Sequence, residues 1–79
     1  MKEMIFNHDI DYTLCDYLVQ QLDKMYKMAN IEEHIEQVKC HYEIYILDGT
    51  RYADITFTIN DKYKLQLLIY DEVEHYNLF

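Results

Sequence analysis

The chain has no proline, serine or tryptophan, and its only glycine is Gly49. Without serine there is no serine nucleophile, and a single glycine cannot build the glycine-rich loop that cradles a phosphate. The lack of proline and of glycine- or serine-rich stretches also leaves no candidate linker. We therefore expect residues 1–79 to form a single domain around one modest core.

Positive charge is scarce as well. Fifteen Asp and Glu residues stand against seven Lys and Arg residues, which gives a formal net charge of −8, and the sequence pI is about 4.7. Direct binding to nucleic acid or to an anionic membrane requires a basic surface, so the composition excludes those partners. An acidic chain suits a basic protein surface, although many small proteins are acidic simply for solubility.

Long apolar runs are also missing. No segment approaches the roughly 18 apolar residues that a membrane span needs, and the N-terminal stretch MKEMIF lacks the apolar core of a signal peptide. We therefore expect a cytoplasmic protein. Cys15 and Cys40 have no metal-ligand spacing, and in a reducing compartment free thiols are favoured over a disulfide or a nucleophile.

The N-terminal half has the period of a helix. Apolar residues recur at three- and four-residue steps from Ile10 to Met28, which predicts one long helix with an apolar stripe facing a core. Its ends carry charges that suit the helix dipole, namely Asp9, Asp11, Lys24 and Lys27. Asn30 followed by Glu33 resembles a capping arrangement, so we predict a second, short helix from that point.

The C-terminal half has the period of strands. Asp48-Gly49 is a preferred two-residue hairpin turn, and it sets Tyr42 opposite Ile55 and Cys40 opposite Phe57. A three-residue loop at 60–62 then pairs Phe57 with an apolar residue, Leu65, where a two-residue turn would pair it with a lysine. The predicted strands are 38–47, 51–59 and 63–70.

The predicted fold class is therefore α+β. One long and one short N-terminal helix pack on a three-stranded antiparallel β-meander (ααβββ), and an acidic C-terminal tail, residues 71–79, follows. The sequence does not decide whether this tail is a strand, a helical turn or a clasp on the core.

The sheet face turned away from the helices, here called the outer face, holds the candidate site. Glu43 lies opposite Asp54, and like charges in that position destabilise a sheet, so we infer that a partner requires them. Three tyrosines cross the strands beside this pair and would provide a rigid aromatic centre. The candidate partner-binding residues are Glu43, Asp54, Tyr45, Tyr52, Tyr70, Asp71, Glu72 and Glu74.

Catalytic chemistry is not indicated. Cys40 is predicted to point inward and His41 outward, which opposes a nucleophilic dyad. His8 near Asp9 and Asp11, and His75 near Asp71 and Glu72, offer metal-ligand atoms without a diagnostic spacing, so solvated acidic ends are favoured over a metal site. We predict no catalytic residues, no metal site and no cofactor, and we predict that the chain is not an enzyme.

The favoured interpretation is a small acidic inhibitor that mimics the charge of nucleic acid and blocks a basic nucleic-acid-binding enzyme. In size, charge and mixed build the chain resembles the anti-CRISPR, anti-restriction and uracil-glycosylase inhibitor proteins of phages, although it shares no motif with them. The proline-free composition, rich in Tyr, Ile, Lys and Asn, suits a phage or mobile element of an AT-rich host, which would place the protein in the host cytoplasm.

Two alternatives belong to other classes. One is an immunity or antitoxin-like binding partner, or a structural subunit that forms a homodimer through strand 38–47. That strand is the less protected sheet edge, because Lys62 and Lys64 lie at the other edge. The second alternative, an enzyme, would need a catalytic group that the sequence lacks.

Overall fold

The structure, a computed structural model, describes residues 3–78. Five strands form one sheet in the order of the chain, and a single helix covers one face of it. The elements are β1 (Glu3–Phe6), α1 (Tyr12–Met28), β2 (Gln37–Leu47), β3 (Thr50–Ile59), β4 (Tyr63–Tyr70) and β5 (Val73–Leu78). β1 and β2 are parallel, and the other neighbours are antiparallel.

The predicted arrangement of two helices on a three-stranded meander was wrong. The described residues contain one helix, and the sheet is a mixed sheet of five strands. The meander is present as β2, β3 and β4, but a parallel strand precedes it and an antiparallel strand follows it. The parallel pair requires a long crossover, which α1 provides.

The long helix was predicted correctly, because its local signals agree with its packing. Asp11 is the N-cap, and its carboxylate accepts a hydrogen bond of 2.7 Å from the backbone N–H of Leu14. The apolar stripe buries Leu18, Leu22 and Met25 against the sheet. These three side chains pack with Phe57, which is fully buried at the centre of the core.

The short second helix predicted after Asn30 is absent from the described residues, and Asn60 explains why. Asn30 adopts a left-handed conformation with φ 54° and ends the helical path after α1. The next residues are held by the Asn60 side chain, which accepts from the backbone N–H of Glu36 and Gln37 and donates to the backbone C=O of His34. These tertiary hydrogen bonds replace the ones that a helix would have made.

The predicted registers of the meander are confirmed. Tyr42 pairs with Ile55, Cys40 with Phe57, and Phe57 with Leu65. Asp48 and Gly49 both have positive φ, as a two-residue hairpin turn of this kind requires. Register could be predicted because a slip of one residue would turn every apolar side chain of a strand toward solvent.

The C-terminal tail, whose structure the sequence did not decide, consists mainly of β5. The acidic pair Asp71-Glu72 forms the turn between β4 and β5. Both residues have positive φ, 52° and 61°, so β4 and β5 are joined by a two-residue hairpin. At the opposite edge, β1 pairs with only the first part of β2, ending at Phe6 and Cys40. The sheet edges therefore differ from those predicted: β5 covers β4, and β1 covers part of β2.

Candidate protein-binding face

The outer face is open across all the strands that carry the candidate site, because α1 lies on the opposite side. Along β2, β3 and β4 the side chains alternate between the two faces, with Phe57, Leu65 and Leu67 directed toward α1. Polar and aromatic residues take the alternate positions. The strands therefore fix which side chains meet on the outer face.

Four aromatic rings form a continuous row on this face. Tyr45 stacks on Tyr52 with centroids 5.3 Å apart and planes at 18°, and Tyr52 meets Tyr70 at 5.0 Å and 48°. His75 continues the row, with its ring stacked on Tyr70 at 4.3 Å and 11°. The row crosses β2, β3, β4 and β5, and such contacts stabilise the sheet while leaving an aromatic surface.

His75 was not among the predicted site residues, although the spacing from Asp71-Glu72 could have placed it on the outer face. A two-residue turn at Asp71-Glu72 sets His75 opposite Leu68, on the outer face. The turn was overlooked because neither residue is glycine, the usual solution for positive φ. The Nε2 atom of His75 is buried and has no hydrogen-bond partner among the described residues.

The pair Glu43 and Asp54 lies in register, as predicted, next to the aromatic row. The Nε2 atom of His41 is 2.7 Å from the Glu43 carboxylate, and Gln66 donates a hydrogen bond of 3.0 Å to Asp54. Within residues 3–78, no lysine or arginine forms an ion pair with either carboxylate. Both carboxylates are therefore held in place by polar side chains, without a lysine or arginine partner among the described residues.

The aromatic row lies in the field of these carboxylates. The pKa of Tyr45 is raised above its ordinary value, first by partial burial and then by the neighbouring Asp54, Tyr52 and Glu43. Burial disfavours a charge of either sign at this place, whereas the nearby Asp54 and Glu43 carboxylates oppose a further negative charge. Only this second, smaller cause would favour a cation beside the ring.

The other predicted acidic residues are arranged differently. Asp71 and Glu72 lie in the β4–β5 turn, at the end of the outer face nearest Tyr70. Glu74 lies opposite Ile69 and accepts a hydrogen bond from Tyr17 of α1, so it is on the helix side of the sheet. The structure therefore brings Glu43, Asp54, Tyr45, Tyr52 and Tyr70 together on the outer face and separates Glu74 from them.

The two ends of the outer face differ in charge. Lys39 and Lys64 lie in the row of Thr58, far from the aromatic row, and Lys39 forms an ion pair of 2.8 Å with Asp61. No group of three metal-ligating side chains is close enough to hold a metal ion in the described part of the chain. The acidic and aromatic end is thus the distinctive part of this face.

In comparisons with family models, curated proteins and solved structures, no match to the chain was found. No helix within residues 3–78 has the length and apolar character needed to cross a membrane. These comparisons give no support to the interpretation of the chain as a phage-encoded inhibitor that mimics nucleic acid. The supported description is a small α+β protein whose residues 3–78 form one helix and a five-stranded sheet.

Proposed function

We propose that the chain is a protein-binding domain whose outer face docks a basic protein surface. The observation that supports this most directly is the open row of four aromatic rings beside two carboxylates without a lysine or arginine partner among the described residues. An arginine guanidinium matches both parts, since it stacks on aromatic rings and forms paired hydrogen bonds with carboxylates. Nucleic-acid-binding proteins are one partner class with surfaces rich in arginine.

The two parts of the face have different roles in this proposal. The carboxylates attract the basic partner over a distance and orient it, which governs the association rate. The tyrosines supply contact area that is already rigid, because each ring contacts the next ring in the row, and this governs the dissociation rate. Binding of this kind needs no catalytic group, so the prediction that the chain is not an enzyme is part of the proposal.

The free cysteines support a cytoplasmic location. Cys15 and Cys40 are both unpaired as thiols, and thiols persist in a reducing environment. We therefore propose the cytoplasm as the place of this function. The immunity or antitoxin-like role is a special case of the same binding face, in which the basic partner is a toxin.

A peptide titration tests the proposal. An arginine-rich peptide added to isotope-labelled protein should shift the amide signals of Glu43, Tyr45, Tyr52, Asp54 and Tyr70. The double variant Glu43→Gln/Asp54→Asn should slow association and flatten its salt dependence. Tyr52→Ala should mainly speed dissociation, by about 2 kcal/mol in binding free energy if the ring is a hot spot.

A second double variant serves as the matched control. Glu32→Gln/Glu36→Gln removes the same formal charge from the exposed loop between α1 and β2. It should leave association nearly unchanged, because those carboxylates are not on the outer face. If both double variants weaken binding equally, the peptide senses only net charge and the proposed face is wrong. The isolated Glu43→Gln/Asp54→Asn protein should be as stable as the wild type or more so, since it loses a like-charge pair.

A further inference from the structure

A short stretch of β2 is a sheet edge that has no neighbouring strand among the described residues. β1 pairs with β2 only as far as Cys40. Beyond it the Asn7 side chain takes the place of a strand residue: its amide donates to the backbone C=O of Tyr42 at 3.2 Å and accepts from the N–H of Tyr42 at 2.7 Å. Residues 43–47 have β3 on one side and no described strand on the other.

The free hydrogen-bonding groups of this edge can be assigned. Backbone direction alternates along a strand, and Tyr42 turns its N–H and C=O toward the β1 side. Those of Ile44 and Ile46 therefore point to the same side, where the described chain offers no partner. Two residues thus present two donors and two acceptors along an open edge.

The side chains of the stretch are unusually apolar for an edge. Ile46 is 72% exposed and Leu47 is 56% exposed, and Ile44 and Tyr45 are exposed as well. Natural sheets protect their edges with lysine, proline, bulges or inward charges. Residues 44–47 contain none of these, and the register with β3 continues without a bulge to Leu47 and Thr50.

We propose that this edge, residues 43–47, pairs with the same edge of a second copy in an antiparallel, two-fold symmetric manner. The register follows from the two ends of the free stretch, the Asn7 cap at Tyr42 and the Asp48-Gly49 turn. Five residues pair completely with their own copy only when the two-fold axis passes by Tyr45. Ile44 of each copy then exchanges both backbone hydrogen bonds with Ile46 of the other.

This register is self-complementary on both faces of the sheet. On the helix side, the exposed Ile44 and Ile46 of one copy lie beside Ile46 and Ile44 of the other. On the outer face, Tyr45 meets Tyr45 and Glu43 meets Leu47, so no like charges stand directly opposite. The two aromatic rows would join into one row across a ten-stranded sheet. A strand from another protein could form the same backbone hydrogen bonds. A second copy, however, also brings matching apolar side chains to both faces of the sheet.

The other edges fit a second copy less well. β1 is only four residues long, and β5 carries the acidic residue Glu74 next to the exposed Val73. The net charge of −8 on each copy opposes the pairing. Salt screens this repulsion, so the proposed dimer should strengthen as salt is added. Binding of a basic partner by the outer face should weaken with salt, which separates the two proposals.

Sedimentation of the wild type tests the pairing at protein concentrations from about 10 to about 500 µM, because an interface this small is weak. The dimer fraction should rise with concentration, and more steeply in about 500 mM than in about 50 mM NaCl. Ile46→Lys should lower the association constant by about tenfold or more, with the far-ultraviolet circular dichroism unchanged. Val73→Lys, the same kind of change on β5, should leave it unchanged.

A cysteine crosslink tests the register in a Cys15→Ala background. Tyr45→Cys should form an inter-copy disulfide rapidly on mild oxidation, because the two positions face each other across the axis. Leu47→Cys should crosslink far more slowly, because each Leu47 faces Glu43. A protein that stays monomeric throughout, a dimer unaffected by Ile46→Lys, or equal crosslinking at both positions would overturn the proposal.

Discussion

Tyr17 of α1 donates a hydrogen bond to the carboxylate of Glu74 of β5. Beside it, the Tyr76 hydroxyl donates to Gln21 at 2.9 Å and accepts from Lys24 at 3.1 Å. The last strand is therefore attached to the helix by polar contacts between side chains, in addition to its pairing with β4. These contacts explain why a segment rich in acidic residues is part of the folded domain.

Replacing Tyr17 by Phe tests this attachment. The substitution removes the hydroxyl and keeps the ring, so the free energy of unfolding near pH 7 should fall by about 1 kcal/mol. Burial, and then the hydrogen bond and charge of Glu74, raise the pKa of Tyr17 above its ordinary value. A pKa raised by folding contributes stability below the unfolded value of about 10 and loses it as the pH rises further.

Wild type and Tyr17→Phe should therefore approach each other in stability above about pH 10, because only the wild type can ionise at this position. Denaturant unfolding of both proteins at neutral and alkaline pH measures the difference. A stability difference between the two proteins that stays constant across this pH range would show that folding does not raise the pKa of Tyr17. The eight other tyrosines are common to both proteins and cancel in the comparison.

Asn60 should be one of the most sensitive polar positions. Its side chain bonds to the Glu33 carboxylate as well as to three backbone groups, and its φ is 53°. Asn60→Ala should cost about 2 to 3 kcal/mol of unfolding free energy, from the lost hydrogen bonds and the left-handed backbone. Thermal or denaturant unfolding gives the value.

Asn60→Gly separates the two causes. Glycine accepts a positive φ without strain but cannot replace the side-chain hydrogen bonds. The glycine variant should therefore be more stable than the alanine variant and less stable than the wild type. Equal stability of glycine variant and wild type would mean that the loop 30–36 does not depend on the Asn60 side chain.

The two thiols should react at different rates. Burial, and to a smaller extent the nearby Cys15, raises the pKa of the Cys40 thiol to about 12, and its side chain is 1% exposed. Cys15 is only half-buried. Because the thiolate is the reactive form, a thiol reagent at mildly alkaline pH should modify Cys15 first and Cys40 only after denaturant is added. When the Cys15→Ala variant is treated with the reagent, mass spectrometry should show that its remaining thiol, Cys40, is protected. Rapid labelling of that variant would contradict the burial of Cys40.

The meander could be predicted from sequence because independent signals agreed there. Asp48-Gly49 fixed one turn, and the apolar partner Leu65 selected the three-residue loop at 60–62. The candidate face followed from those registers, and the contacts between Tyr45, Tyr52 and Tyr70 confirm the position of the tyrosines. Their role in binding remains a prediction.

The parts that could not be predicted depend on distant contacts. β1 is a four-residue strand with little pattern of its own, and it exists because α1 returns the chain beside Cys40. The residues after Asn30 carry a helix-capping signal that the hydrogen bonds of Asn60 override. Glu74 was placed with the other carboxylates by charge, but the β4–β5 turn sets it on the side of Tyr17.

The order of the strands has a consequence for the rate of folding. β2 to β5 are joined by turns of two or three residues, whereas pairing of Phe6 with Cys40 must close the loop that contains all of α1. Short turns cost little chain entropy, so the hairpins can form before β1 docks. Met4→Ala should accordingly speed unfolding and leave the folding rate almost unchanged, whereas Phe57→Ala should slow folding. Stopped-flow measurements that found Met4→Ala slowing folding as strongly would reverse this sequence of events.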